Sequence, residues 1–177
     1  CTETICIPGA VDAAAALYYT GKVRNAMQRF KFQHKQHYAD WFAAQMLPLL
    51  ADRLNAWQPD LVTFMPIGWL RRRERGYNQA ELLARVVERE MGWNMAALLR
   101  RSRYTRRQAR LSAKQRRHNL DGAFELDGDV SGLKILLIDD VLTTGATANR
   151  CARLLKRSGA AWVGLLSVAR AVPGFEN

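Results

Sequence analysis

One stretch constrains this chain more than any other: Lys134-Ile135-Leu136-Leu137-Ile138-Asp139-Asp140-Val141-Leu142-Thr143-Thr144-Gly145-Ala146-Thr147. Ile135 to Ile138 form an apolar, branched run of the kind expected for a strand buried on both faces, as in parallel sheets covered by helices. The run stops at two adjacent carboxylates and a short Thr/Gly turn. Beyond the turn, Ala148, Cys151, Ala152, Leu155 and Ser158 recur at helical spacing, and Gly159 behind Lys156 and Arg157 reads as the helix stop. The segment therefore reads as strand, acidic tip, loop and helix.

That order has a chemical use. A loop from Thr143 to Thr147 presents backbone N–H groups and hydroxyls at a helix N-terminus, where the helix dipole favours a phosphate. Asp139 and Asp140 just before it are acceptors of the kind that hold two vicinal hydroxyls of a ribose, so a pentose 5-phosphate fits the layout. The plainer readings of such a tip are a solvated loop or a divalent-metal site.

Earlier in the chain, Ala13 to Tyr19 reads as an edge strand and Gly21 breaks it. Val23, Ala26, Met27 and Phe30 then follow at helix spacing, and Lys31 between Phe30 and Phe32 is either a solvated charge or an anion ligand at the mouth of a site. His34 and His37 fall in a polar stretch and read as surface residues. A second helix carries Tyr38, Trp41, Phe42, Met46, Leu49 and Leu50 on one face, and Pro48 is expected to kink or restart it. Both helices are expected to cover one face of a sheet. Leu61 to Met65 is a short buried strand ending at Pro66. An arginine-crowded loop from Arg71 follows, then a helix capped by Asn78 with Glu81 as capping-box partner and ended by Gly92. Open parallel sheets bind ligands beyond the C-terminal ends of their strands. If the two strands are neighbours, Arg75 and Gly76 therefore stand where a second anion would lie; solvation of a surface loop is the other reading. Asp127-Gly128 reads as a two-residue hairpin turn within Phe124 to Val130, and Trp162 to Val168 as a further buried strand.

Composition narrows the partners. A net charge of +11 over 177 residues implies a polyanionic substrate or partner, whether a phosphorylated sugar, pyrophosphate or nucleic acid. Between Arg100 and Arg117 there is no acidic residue. Arg103, Arg106, Arg107, Gln108, Arg110 and Arg117 in that segment suit a strip for nucleic-acid phosphates with Tyr104 as a stacking platform, or a solvated loop. Three cysteines make no disulfide framework: Cys151 suits helix packing. Cys1 and Cys6, residues of a segment 1–12 that would be the remnant of a zinc ribbon, show only a C-x4-C spacing, so zinc is not expected in this chain. No window is long enough to span a bilayer and no signal-peptide pattern opens the chain, which sets the expectation of a cytoplasmic protein without membrane insertion.

The strand, paired acids and Thr/Gly loop resemble the signature of the type I phosphoribosyltransferases. Tyr19 to Phe32, Arg75-Gly76-Tyr77-Asn78-Gln79, Thr105 to Gln108, Arg117-His118-Asn119 to Phe124 and the signature together resemble one branch of them, the ComF family, which includes competence protein ComFC and GntX-like proteins. The resemblance implies an α/β fold over residues 13–177: a type I phosphoribosyltransferase-like parallel sheet flanked by helices, with a small hairpin and N-terminal helices. It also implies binding of phosphoribosyl pyrophosphate with Mg²⁺. The 5-phosphate would lie on Thr143, Thr144, Gly145, Ala146 and Thr147, the ribose hydroxyls on Asp139 and Asp140, and the pyrophosphate near Arg75, Gly76 and Lys31. The Arg100 to Arg117 segment falls where such enzymes carry a catalytic lid. Relatives using a general base have an Asp where this chain has Thr143, so the motif names no proton acceptor. The resemblance further implies a role in DNA uptake during natural competence beside a helicase-like partner. The alternative is a transferase-inactive protein that keeps the phosphate cradle and binds single-stranded DNA.

Overall fold

The computed structural model describes residues 7–10, 12–101 and 123–171. Four parallel strands, β1 (Asp12–Tyr18), β2 (Leu61–Phe64), β5 (Lys134–Leu142) and β6 (Trp162–Arg170), form a sheet in the order β1-β6-β5-β2. Ile135 to Ile138 and Val163 to Ala169 are buried without alternation. Successive side chains of a strand leave on opposite faces, so both faces of the central sheet are covered. The helices that cover it are α1 (Gly21–Phe32), α2 (Tyr38–Trp57), α4 (Gln79–Met91) and α5 (Ala146–Arg157), with a one-to-two-turn α3 (Trp69–Arg75) between β2 and α4. α2 and α4 pack on each other and on the sheet, and α5 packs on β5 and β6. β1 is the edge strand its sequence suggests. Among the described residues no helix is long and apolar enough to cross a membrane.

Local chemistry accounts for most of these boundaries. Asn78 caps α4 by accepting from the Ala80 N–H at 3.1 Å, while its amide donates to the Met65 carbonyl at 2.9 Å. Glu81 turns to Arg72 and Arg85, each at 3.0 Å, instead of serving as the box partner. Gly92, with φ +67°, closes α4 in the left-handed conformation that glycine adopts at least cost. Asp60 ties the start of β2 to β5: its carboxylate accepts from the Lys134 N–H at 2.8 Å and its own N–H donates to the Lys134 carbonyl at 2.9 Å. The Trp57 indole donates to Asp12 at 2.6 Å, which fastens the end of α2 to the head of β1.

Several expectations need correction. α2 does not restart at the exposed Pro48 but continues through it; the buried stripe of Ala39, Phe42, Ala43, Met46 and Leu50 holds the helix against the core on both sides of it. Trp41 is not on that stripe but 48% exposed, touching the edge of Phe42. The arginine-crowded loop contains α3. Asp127-Gly128 is not a hairpin turn: β4 (Phe124–Leu126) pairs antiparallel with the distant β3 (Leu99–Arg101), so long-range pairing overrides a good local turn signal. The small antiparallel unit exists, with residues 102–122 in the connection between its strands. Those residues, and with them Arg103, Arg106, Arg107, Gln108, Arg110 and Arg117, lie outside the described residues, as do Cys1 and Cys6.

Candidate functional site

The cleft arises because two neighbouring strands end at different heights. β2 pairs with β5 only as far as Phe64 beside Ile138, and the Met65 N–H donates to the Ile138 carbonyl at 2.8 Å. Pro66 has no N–H to continue the ladder and the chain turns away. β5 does not stop at its acids, as the sequence pattern suggests, but stays paired with β6 out to Leu142 beside Arg170. Asp139 and Asp140 therefore sit on a strand whose other side has been vacated. The resulting cavity, about 180 Å³, is lined by both acids, Lys31, Met65 to Ile67, Arg71, Arg75, Asn78, Arg101, Thr143, Gly145, Ala146 and Thr147.

The acids occupy different environments. Lys31 Nζ lies 3.0 Å from Asp140 Oδ2, and the two side chains are 17% and 15% exposed. Asp139 accepts from the Asp140 N–H at 2.8 Å. Burial, and then the charge of Asp140, raise the Asp139 carboxyl to about 8, against the opposing pull of that N–H and of Lys31. Behind it, burial first and the charge of Asp139 second push the Cys151 thiol up to about 12, so this buried cysteine stays a packing group.

Of the five predicted phosphate-loop residues, Thr143, Gly145, Ala146 and Thr147 line the cavity. Thr144 is outside the lining, its hydroxyl accepting from the Ala146 N–H at 3.4 Å. Gly145 has φ +72°, the left-handed conformation that favours glycine, and a Cβ there would come 2.5 Å from the tip of the Ile7 side chain, which would have to shift. α5 begins at Ala146, and Ala146, Thr147 and Ala148 of its first turn line the cavity.

On the facing side Arg75 lines the cavity, whereas Gly76 is the C-cap of α3, with φ +76° and its N–H bonded to the Arg72 carbonyl at 2.9 Å. Arg75 Nη1 donates to Gln79 Oε1 at 3.1 Å, its guanidinium lies 4.8 Å over the exposed Phe32 ring, and its buried Nε has no hydrogen-bond partner among the described residues. Gln79 in turn donates to the Phe30 carbonyl at 3.4 Å, and the Tyr77 hydroxyl donates to the same oxygen. Burial raises the Tyr77 hydroxyl above its ordinary value. The motif Arg75 to Gln79 thus anchors the end of α1 through Tyr77 and Gln79, while Arg75 and Asn78 line the cavity. Arg71 and Arg101 were not singled out by the sequence. Arg101 comes from the short β3, with its guanidinium 5.8 Å from the Phe124 ring, and only the pairing with β4 brings it to the cleft. His34 and His37 are exposed, and among the described residues no three His, Cys, Asp or Glu side chains converge on a metal position.

A model of the phosphoribosyl transferase domain matches residues 75–172. Among curated proteins, the chain is 36% identical over 157 residues to DNA utilization protein YhgH of Salmonella typhimurium, covering 86% of this chain and 69% of that protein. It is 35% identical over 162 residues to competence protein F of Haemophilus influenzae, covering 87% and 70%. Among solved structures, the allosteric regulatory enzyme of purine biosynthesis superposes with a TM-score of 0.53 at 18% identity, covering 81% of this chain and 30% of that one, a likeness of fold.

Proposed function

The chain belongs to the phosphoribosyl transferase domain family, in the ComF branch with competence protein F, and from that premise we propose that its cleft binds phosphoribosyl pyrophosphate and passes on the phosphoribosyl group. One observation carries the reading: a carboxylate pair, a hydroxyl-lined helix N-terminus and three arginines converge on a single cavity. Each of the three matches one part of such a ligand.

The 5-phosphate would accept from the N–H groups at the start of α5 and from the hydroxyls of Thr143 and Thr147, with Gly145 keeping that turn open. Asp139 and Asp140 would take the ribose hydroxyls. Arg71 and Arg75 would face the pyrophosphate, and the unpartnered Nε of Arg75 suits an anion's oxygen. Mg²⁺ takes hard oxygen ligands, which the pyrophosphate itself offers, and when bound it would draw charge off the departing pyrophosphate. As that bond breaks, positive charge develops at the sugar C1. The chain's contribution is then to hold the two ends of the ligand in fixed relation and to set carboxylate charge near the sugar. The names of the relatives support a place for this activity in the use of incoming DNA. The Arg100 to Arg117 segment would act there as lid or nucleic-acid strip, beside a helicase-like partner.

Titration calorimetry with phosphoribosyl pyrophosphate and Mg²⁺ tests the proposal. The wild type gives saturable heat, and the double change Asp139→Asn/Asp140→Asn weakens binding by about a hundredfold, as expected from loss of charge-assisted bonds to two hydroxyls. A wild type that gives no heat ends it.

A further inference from the structure

Lys31 lies far from the signature in sequence, and nothing in that motif calls for it. The fold nevertheless delivers its ammonium to Asp140 at 3.0 Å, with both side chains largely shielded from water. The delivery is built rather than incidental. Phe30, the residue before Lys31, is wholly buried, and its carbonyl, one of the orphan acceptors at the end of α1, takes hydrogen bonds from Tyr77 and Gln79. Gln79 is itself held by Arg75. Three residues of the Arg75 to Gln79 motif therefore determine where Lys31 stands.

The chemistry of the acid pair shows why a cation is needed there. Asp139 and Asp140 are adjacent on β5 and leave it on opposite faces, yet both line the cavity, and only Asp140 is met by Lys31. A carboxyl that accepts a hydrogen bond from a sugar hydroxyl has to be held in one orientation. Lys31 engages Oδ2 of Asp140 and leaves Oδ1 without a protein partner among the described residues, on a residue that lines the cavity.

We propose that Lys31 is a positioning residue for the sugar half of the ligand: its ion pair holds the Asp140 carboxylate oriented to accept a ribose hydroxyl, and it is not itself a pyrophosphate ligand. This deepens the phosphoribosyl reading and rests on it. The two roles for Lys31 separate cleanly when the ligand is tested in pieces.

The experiment measures affinities of the full chain for ribose 5-phosphate, inorganic pyrophosphate and inorganic phosphate, in wild type, Lys31→Met, Lys31→Arg, Asp140→Asn and the double variant Lys31→Met/Asp140→Asn, each first checked for an unchanged thermal transition. Lys31→Met is expected to weaken ribose 5-phosphate by about tenfold or more, the loss associated with one charge-assisted hydrogen bond, and to leave inorganic phosphate and pyrophosphate unaffected. Lys31→Arg restores most of the loss. In the Asp140→Asn background, Lys31→Met costs nothing further, because a residue that works only through another has no effect once that partner is neutral. Weaker pyrophosphate binding with ribose 5-phosphate unchanged, or an undiminished Lys31→Met effect in the Asp140→Asn background, overturns the proposal. If Lys31→Met does not fold, the Lys31→Arg and Asp140→Asn affinities decide it, since an arginine that fails to support ribose 5-phosphate binding also refutes a charge-positioning role. A wild type that binds none of the three probes overturns the phosphoribosyl reading as well, whereas binding that is indifferent to Lys31 removes this inference alone.

Discussion

Two strand-to-helix connections face each other across the cleft, and they spend their polar groups in opposite ways. Between β5 and α5, the hydroxyls of Thr143 and Thr147 make no hydrogen bond among the described residues, and the helix N-terminus is left open to the cavity. Between β2 and α4, the side chains of Tyr77, Asn78 and Gln79 are committed: Asn78 to Met65 and Ala80, Gln79 to Phe30 and Arg75, Tyr77 to Phe30. The first connection leaves its hydroxyls at the cavity wall, where the proposed phosphate would lie. The second uses these side chains to hold α1, α4 and the end of β2 together, and offers the cleft mainly guanidinium charge. Donors already satisfied within the protein gain little from a ligand, so the conspicuous motif on each side does a different job.

The contrast can be broken most forcefully at Asn78. Asn78→Ala removes the N-cap and strands the Met65 carbonyl, and should cost about 2–4 kcal/mol of stability by urea unfolding; a loss below about 1 kcal/mol would mean that this connection is not the structural one. Gly145→Ala is expected to cost about 1–2 kcal/mol from the left-handed backbone alone, with the Ile7 contact adding to it. Phosphate affinity should fall in the same variant, because the turn is also the cradle.

A pH series probes the acid pair. Asp139 is raised in the folded chain, so it binds its proton more tightly folded than unfolded. Its contribution is fully present below the ordinary carboxylate value and is lost as pH rises towards about 8. Wild-type stability should therefore decline relative to Asp139→Asn across that window and level off above it; parallel curves would refute the raised carboxyl. The smallest effect on stability belongs to Thr143→Ala, expected within about 0.5 kcal/mol of wild type as for other exposed positions, with phosphate binding weakened about threefold to tenfold by loss of one neutral hydrogen bond. That pairing of little stability change with a clear affinity change is the mirror image of Asn78→Ala.

Much of this architecture is legible in the residues themselves. Ile135 to Ile138 can only be a strand covered on both sides, Asn78 and Gly92 delimit their helix, and the acids followed by a Thr/Gly turn mark a polar, phosphate-friendly strand end. These are short-range signals, written in the alternation and capping of adjacent residues. Other features were hidden because their causes are distant. β5 outruns its acids only because β6 continues beside it, and α3 forms within what composition marks as a loop. Phe124 to Leu126 prefers Leu99 to Arg101 over the nearer turn at Asp127-Gly128.

The chain alone therefore pointed to residues that the cleft gathers: the two carboxylates, most of the Thr/Gly bend and Arg75. The tertiary structure decided what each of them meets. It set β2 short of β5 to open the cleft, brought Arg71 and Arg101 to its wall, and placed Lys31 against Asp140. Local propensity acts over a few residues, whereas a salt bridge or an unpaired strand edge depends on pairings whose geometry exists only once the sheet has closed.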